Sequence, residues 1–535
     1  MIQSINLISG KDKQVCLFKK EHDHKITIDT LVIKEKPLTL QVIFNTNIKH
    51  VRNHDYTWSE VKKNYVANWH SPKIIKLENG QIIQANQQTG IWEINKVQSH
   101  ILLWHFNPRY SKPLAQYDSN NSKRIVDGKL VVSKVTPLAL LLVKDYGIEI
   151  SRSKFPFSAI ACFTDHCDFD TLNNLKQQRE FFKKHQIKLT KGFFLNHYSK
   201  HADTANFHNH SDEYEKWIAD GHELAYHALS QSIKPLSDSL NDFQNFKPPL
   251  ESIKTYIDHG FQPYNLSQYY NYEQIKSDYA KKLKEAGIDT LWNYVDSGTA
   301  VRGVINQLNP NQFTLSSFTK GIANLCWKTR ISMFIKNTIF HYFNNDYSLR
   351  LYRYVARYIK TFKSKKSIRK HLFFLLNGLK LIRLFIPIGL FWNTRKHNIY
   401  PLAKYSPVIF DHDVSGKTFT VFQTLEMIDF KLGLCPNNLD LLIKEHGLFI
   451  AHTYFSAPMN YHQGKLFGKV GEIDAQVEKN FSYLSQKIKS QAIWNPTLTE
   501  LIGYLKQFES VKFDCDAEGN LIVLNQDDLI TRKVR

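Results

Sequence analysis

The sequence predicts an α/β protein with an antiparallel β-domain at its N-terminus and a basic helical insertion. Short β-rich runs separated by turn signals fill the first 150 residues, and strand-like and helix-like segments alternate from residue 158. Between Lys320 and Lys396 there are 17 Lys or Arg residues and a single acid, Asp346. We therefore expect a β-rich domain at 1–150, an α/β unit split into 151–304 and 401–535, and the insertion at 305–400.

Bulk composition is that of a globular protein with one unusual charge concentration. The chain has 535 residues, 42% of them hydrophobic, and a formal net charge of +21. Its six cysteines are scattered without a CxxC pair, which argues against a disulfide framework. Residues 1–25 contain no apolar run of the kind found in secretory signals. The expected location is the cytoplasm, with peripheral attachment to the inner face of the membrane as a variant of it.

The N-terminal domain is predicted from its strands and turns. Leu38–Phe44 and Ile101–Phe106 are β-rich runs, and Asn79-Gly80 is a hairpin signal. Tryptophans recur through this region, at Trp58, Trp69, Trp92 and Trp104. They would suit either a sugar-binding platform or a packed core, and core packing is the favoured interpretation.

Strand and helix then alternate as in a parallel sheet with crossover helices. Ser158–Thr164 has the pattern of a buried strand and Leu172–His185 that of a helix. Gly192–Leu195 is a second apolar run, and strand-like runs resume at Thr418–Phe422 and Leu448–Ala451 after the insertion. We expect these later strands to join the same sheet.

Candidate metal ligands follow the first strand directly. Asp165, His166 and Asp168 lie where a strand of a parallel sheet ends, which is where such sheets place active sites. Carboxylate and imidazole together suit zinc or a similar divalent ion. Taken alone, the cluster is more typical of a polar turn that ends the strand than of a metal site.

Two further histidines carry a similar signal. Gly221-His222-Glu223 is followed by His227 and Gln231, four residues apart. On a helical turn the two side chains would share one face, the geometry of paired metal ligands. His452 ends the apolar run Leu448–Ala451, a position that a general acid would need. A structural hydrogen-bonding role is the alternative for each histidine.

The order of these segments resembles the polysaccharide deacetylase (NodB-homology) family. In that comparison Asp165 is the general base, and His166 stands where the family has a metal-binding acid. His227 matches the first of two histidine ligands, and Gln231 occupies the place of the second. Asp168 would supply the missing anionic ligand. The resemblance implies a distorted (β/α) barrel.

The resemblance extends to the groove and the acid. Gln262-Pro263-Tyr264 is similar to the family's groove wall, and Leu291–Asp296 to the strand whose acid tunes the catalytic histidine. Tyr264 and Trp292 would then contact substrate. His452, oriented by Asp296, would protonate the leaving group.

The implied activity is metal-dependent hydrolysis of acetyl groups on an acetylated oligo- or polysaccharide, at nitrogen or oxygen, with zinc as the expected ion. The chain departs from the family at His166, Gln231 and Gln262. These departures support an alternative, a carbohydrate-binding or scaffold protein that kept the barrel and lost catalysis.

The insertion contains Leu372–Trp392, a mostly apolar run of 21 residues near bilayer-spanning length. Lys380 and Arg383 at its centre disfavour a simple span and favour an amphipathic helix at the membrane interface. The flanks Arg350–Arg357 and Lys360–Lys370 would bind anionic lipid. The alternative is a helical subdomain that covers the barrel. Nucleic acid is not an expected partner, because no recognised motif accompanies the charge.

Overall fold

The fold was examined in a computed structural model. It describes residues 2–10, 12–15, 18–28, 37–118, 123–127, 137–198, 204–231, 234–361, 368–457, 466–469, 471–525 and 528–535. The predicted basic flank Lys360–Lys370 lies outside the residues whose side chains are described.

The first 150 residues form an antiparallel β region. Two sheets of six and seven strands, in the orders β2-β1-β5-β12-β11-β8 and β3-β4-β15-β10-β9-β6-β7, enclose one apolar core. The strands are β1 (Ile2–Ser9), β2 (Asp12–Val15), β3 (Phe18–His22), β4 (Lys25–Ile28), β5 (Leu38–Phe44), β6 (Ile48–Arg52), β7 (Trp58–Glu60), β8 (Tyr65–Ala67), β9 (Ile74–Leu77), β10 (Ile82–Ala85), β11 (Ile91–Ile94), β12 (Ile101–Phe106), β13 (Pro113–Tyr117), β14 (Lys123–Asp127), β15 (Leu138–Val143) and β16 (Gly147–Ile150).

Alternating burial explains this sandwich. Strand β5 buries every second residue, the period expected when one face of a strand covers a core. Trp92 and Trp104 are fully buried and meet edge to face, which confirms core packing for these two tryptophans. The predicted turn at Asn79-Gly80 joins β9 to β10, with Gly80 at φ 86°.

The rest of the chain confirms a mixed α/β class. Its main sheet has eleven strands in the order β22-β25-β26-β17-β18-β19-β20-β21-β24-β23, with β29 paired to β17. The remaining strands are β17 (Ala159–Asp165), β18 (Thr190–Phe193), β19 (Glu223–His227), β20 (Thr255–Ile257), β21 (Thr290–Trp292), β22 (Asp296–Thr299), β23 (Ile409–Val414), β24 (Lys417–Phe422), β25 (Thr424–Glu426), β26 (Leu448–Thr453), β27 (Phe467–Lys469), β28 (Glu472–Ile473), β29 (Ile493–Trp494), β30 (Lys512–Cys515), β31 (Leu521–Leu524) and β32 (Thr531–Val534).

This sheet is curled rather than flat. Strands β24 and β25 lie near opposite ends of the strand order, yet only Gln423 separates them in the chain. The two ends of the sheet are therefore drawn toward each other, and the result is a curled half-barrel. The pairs from β25 through β24 are parallel, so their carboxyl ends open on one side.

Helices cover the sheet and build the insertion. The predicted helix Leu172–His185 is confirmed with the same bounds. The helices are α1 (Leu172–His185), α2 (Phe207–Ala219), α3 (Leu236–Gln244), α4 (Glu273–Lys276), α5 (Tyr279–Glu285), α6 (Leu315–Gly321), α7 (Trp327–Asn337), α8 (Asp346–Thr361), α9 (Ile368–Leu390), α10 (Trp392–Arg395), α11 (Pro401–Tyr405), α12 (Phe430–Gly433), α13 (Pro436–Lys444), α14 (Ala475–Lys489) and α15 (Leu498–Ser510).

The two faces of β17 look into different cores. Ala161 and Phe163 pack into the large cluster beneath the helices. Ile160 and Cys162 pack into a second cluster that also holds Trp292. Because side chains alternate along a strand, consecutive residues at the end of β17 face opposite sides of the sheet.

The insertion is helical and leaves an apolar strip in solvent. Helices α8 and α9 pack on each other, with the Tyr358 and Phe374 rings stacked at 4.3 Å. Seven large apolar side chains of α9 are 48–74% exposed and recur at helical spacing: Leu372, Leu375, Leu376, Leu379, Ile382, Ile386 and Leu390. By length and composition, His371–Leu390 is the helix in the described part of the chain that could cross a membrane. A fully buried cover helix is thereby excluded for α9.

Candidate metal centre and its histidine–aspartate neighbour

Parallel pairing brings the predicted residues together from distant parts of the sequence. In the register of β17 with β26, Thr164 lies opposite His452. The His166 ring lies 4.0 Å from the His452 ring and 4.6 Å from the His227 ring, measured between centroids. His227 ends β19, and its register partner on β20 is Ile257. All three histidines therefore meet at the carboxyl edge of the sheet.

A buried group at this edge could hold a metal ion. One ligand atom from each of His166, Asp168 and His227 lies within 4.8 Å of the others. A fourth residue, His259, joins them: its Nδ1 lies 3.1 Å from Asp168 Oδ1 and 3.1 Å from His227 Nε2. Asp168 Oδ2 lies 2.9 Å from His227 Nε2.

The spacing of these atoms fits a divalent cation. Ligands bound at about 2.1 Å lie about 3.0–3.4 Å apart at octahedral or tetrahedral angles. Asp168, His227 and His259 present their donor atoms at nearly that separation. Two imidazoles and one carboxylate are a donor set typical of zinc and related transition metals. The residues present therefore fit a metal ion without rearrangement of the backbone.

Electrostatics keep Asp168, His227 and His166 in a ligating form. Burial would lower the pKa of His259, but Asp168 outweighs it and raises that pKa, so a metal ion competes with a proton for that ring. Burial lowers the pKa of His227 to about 4, although Asp168 opposes the shift, so its ring is neutral at pH 7. Burial would raise the pKa of Asp168, but His259 and His227 outweigh it and hold that pKa well below its ordinary value. Burial, followed by His452 and His227, lowers the pKa of His166 well below normal. Neutral imidazoles and an ionised carboxylate are the forms that bind metal.

A histidine–aspartate pair lies beside this group. His452 Nδ1 is 3.1 Å from Asp296 Oδ1, which also accepts a hydrogen bond of 2.6 Å from the Thr424 hydroxyl. His452 Nε2 is buried and has no hydrogen-bond partner among the described residues. The carboxylate thus fixes the ring while the other nitrogen is left for a ligand.

Asp165 faces the opposite side of the sheet from His166. Its carboxylate is buried, 1% exposed, and pairs with the ammonium of Lys191, which is itself 2.5 Å from Asp170. Burial raises the pKa of Asp165 to about 6, although Lys191 opposes the shift. A Cβ at Gly192 would overlap the Asp165 carbonyl oxygen, so glycine is needed where β18 passes. The role of Asp165 as general base stays a prediction.

The other predicted site residues, Trp292, Tyr264 and Gln231, lie in three different surroundings. Trp292 is buried at the carboxyl edge of the sheet, and its ring lies 4.8 Å from the His452 ring. Tyr264 is fully buried in the helix-side core, stacked on Phe243. The helical spacing expected for His227 and Gln231 is wrong, because His227 ends a strand and an extended turn follows. The Gln231 carbonyl oxygen accepts a hydrogen bond from His259 Nε2 at 2.8 Å.

Two residues were missed from the sequence. His259 follows β20, a strand of three residues that is too short to show a pattern in the sequence. The signal that could have found it is the pair Asp258-His259, since polar residues also follow β17 directly. Lys191 lies inside β18, which begins two residues before the predicted apolar run Gly192–Leu195. Its buried neighbours explain it, since a lysine buried this deeply requires paired carboxylates.

A small cavity opens on the histidine–aspartate pair. We call this space of about 210 Å³ the inner cavity. Its lining includes Trp292, Asp296 and His452 from the sheet and Lys123 and Arg353 from outside it. Burial lowers the pKa of Lys123 to about 8, although Asp296 opposes the shift.

Neither a scan against protein-family models nor a search of curated proteins found a match for this chain.

Proposed function

We propose that this protein is a metal-dependent hydrolase that removes acetyl groups from a glycan. The observation that carries the proposal is the donor set of Asp168, His227 and His259 next to the His452–Asp296 pair. A Lewis-acid site beside a fixed imidazole is what hydrolysis of an amide or ester requires. The resemblance to polysaccharide deacetylases supports the same reaction, and we propose that the curled sheet is a distorted (β/α) barrel of that type.

The proposed ligands are Asp168, His227 and His259, with His166 within reach of the same ion. A divalent ion, for which zinc is our candidate, would when bound polarise the acetyl carbonyl and lower the pKa of a water. Burial and the neighbouring histidines disfavour protonation of His227 and His166, and His259 and His227 keep Asp168 ionised.

Proton transfer falls to residues of the chain. His452, held at Nδ1 by Asp296, donates from Nε2 to the leaving nitrogen or oxygen. Asp165 is our candidate for the base, although its carboxylate pairs with Lys191 on the far face of β17. His166, whose ring lies 4.6 Å from that of His227 and 4.0 Å from that of His452, is the second candidate because it lies on their side of the sheet.

Attachment to an anionic membrane surface is part of the proposal. The exposed apolar strip of α9 would enter the acyl boundary, and the surrounding cations would contact headgroups. A soluble cover helix would bury such a strip. In α9 the seven side chains of the strip are instead 48–74% exposed.

A second function is favoured by one observation. Lys191 pairs with Asp165, so the carboxylate proposed as the base is held in an ion pair. A protein that binds the glycan without hydrolysing it would have the same arrangement of Asp168, His227 and His259. Turnover separates the two. Acetate release should be measured from N-acetylated chito-oligosaccharides and from O-acetylated xylo-oligosaccharides, with zinc added and after chelation. Zinc-dependent acetate release supports the hydrolase, whereas glycan binding without acetate in any condition supports the binding protein.

A further inference from the structure

A second cavity, of about 420 Å³, lies between α8 and α9 and carries an unusual charge. We call it the outer cavity. Five cations line it: Lys123, Arg350, Arg353, Arg357 and Lys380. Among the described residues of its lining, none is Asp or Glu. A pocket with this excess of positive charge favours an anionic ligand.

Four of the five cations project from facing stripes on α8 and α9, and the fifth, Lys123, comes from β14. Arg350, Arg353 and Arg357 follow one another at spacings of three and four residues, so they share one face of α8. On α9, Phe373, Asn377 and Lys380 share a face in the same way. The Tyr354 and Phe373 rings meet edge to face at 4.6 Å between the two stripes. Guanidinium groups around aromatic rings make a site for a group that is anionic at one end and apolar at the other.

The outer cavity shares part of its lining with the inner cavity. Lys123 and Arg353 line both cavities. Lys123 donates a hydrogen bond of 2.8 Å to the Tyr294 carbonyl oxygen, and the Tyr294 ring lies 5.3 Å from that of Trp292. The contacts therefore continue from the outer cavity to the residue that touches His452.

We propose that the outer cavity binds the phosphate of a lipid-linked glycan, with its hydrocarbon chain against the Tyr354 and Phe373 rings that line the cavity and its sugar in the inner cavity. Phosphate matches the forked donors of three arginines, and it is the anion that such forks bind bidentately. A free neutral oligosaccharide would use neither the cations nor this apolar lining. The sugar chemistry rests on the proposed function, whereas binding of the lipid phosphate does not.

The test is calorimetric binding of octyl phosphate, a soluble probe that joins one phosphate to one alkyl chain. Inorganic phosphate and octyl glucoside serve as probes of the two halves. We expect octyl phosphate to bind about tenfold or more tightly than either half. Equal affinity for inorganic phosphate would overturn the lipid assignment in favour of a soluble phosphate, and equal affinity for octyl glucoside would reduce the cavity to an apolar groove.

Variants locate the binding. Arg353→Ala and, separately, the exposed Arg357→Ala should each weaken octyl phosphate binding about tenfold. Arg330→Ala removes an exposed arginine of α7 that does not line the outer cavity, and it should bind as the unmodified chain does. Unchanged affinity in both cavity variants would refute the proposal. Retained octyl phosphate binding in a chain that releases no acetate would refute only the proposed hydrolase.

Discussion

The variant Lys191→Met tests how far buried ion pairs stabilise the carboxyl edge of the sheet. The Lys191 side chain is fully buried and pairs with Asp165 and Asp170, while Gln178 Oε1 accepts a third hydrogen bond at 3.0 Å. Replacing it leaves two buried carboxylates without their cation. Breaking such a pair costs about 3–5 kcal/mol. For an α/β unit of about 290 residues, whose unfolding entropy is about 0.6 kcal/mol/K, that corresponds to a fall in Tm of about 5–8 °C.

Scanning calorimetry with a surface control measures this effect. Lys184 pairs with Glu478 at 2.7 Å, but its side chain is 67% exposed. Exposed pairs contribute little, so Lys184→Met should move the transition of the same unit by no more than a few degrees. If Lys191→Met melts at the same temperature as Lys184→Met, the buried ion pairs of Lys191 contribute little to stability and the predicted cost is wrong.

The Tm deficit of Lys191→Met should also change with pH, in a direction set by the pKa of Asp165. In the unmodified chain, the folded-state pKa of Asp165 is already raised to about 6 by burial, against the opposing Lys191. A carboxyl group with a raised folded-state pKa contributes stability below its unfolded pKa and loses it as pH rises through the folded value. Without Lys191 this pKa should rise further. The Tm deficit of Lys191→Met should therefore shrink from pH 8 to pH 5, and a deficit that grows would contradict the assignment.

Three further predictions concern catalysis and attachment. Asp165→Asn should abolish acetate release while zinc binding survives, and equal loss of zinc in Asp165→Asn and His227→Ala would reverse the assignment. Asp296→Asn should lower kcat by about 10²–10⁴ with KM nearly unchanged, because it disturbs the ring that donates the proton. Leu379→Glu with Ile382→Glu should reduce co-sedimentation with vesicles containing phosphatidylserine, and about 0.5 M salt should weaken binding of the unmodified chain. Val97→Glu, another exposed apolar position, is the control.

Much of the architecture was predictable because it depends on local pattern. Apolar runs and the polar residues that follow them located β17 and β26, and with them His166, Asp168 and His452. The exposed face of α9 followed from the conjunction of cations and apolar residues in one segment. These signals are contained in neighbouring residues, so no knowledge of the tertiary fold was required.

What could not be predicted depends on pairing between distant segments. The place of His259 is set by the pairing of β20 beside β19, and no spacing in the sequence encodes it. The direction of Asp165 is set by which face of β17 meets Lys191. Likewise, Gln231 was assigned by helical spacing in a segment that pairs as a strand up to His227, so periodicity led to the wrong geometry there.

The most direct test of the central claim is the metal content of the purified chain, measured by plasma mass spectrometry after equilibration with zinc. We expect a single bound ion in the unmodified chain and in the controls His208→Ala and Gln231→Ala. We expect a loss of affinity of about tenfold or more in His227→Ala and in His259→Ala. An unmodified chain that retains no zinc, or a His259→Ala variant that binds it as tightly as Gln231→Ala, would contradict a metal centre built on Asp168, His227 and His259.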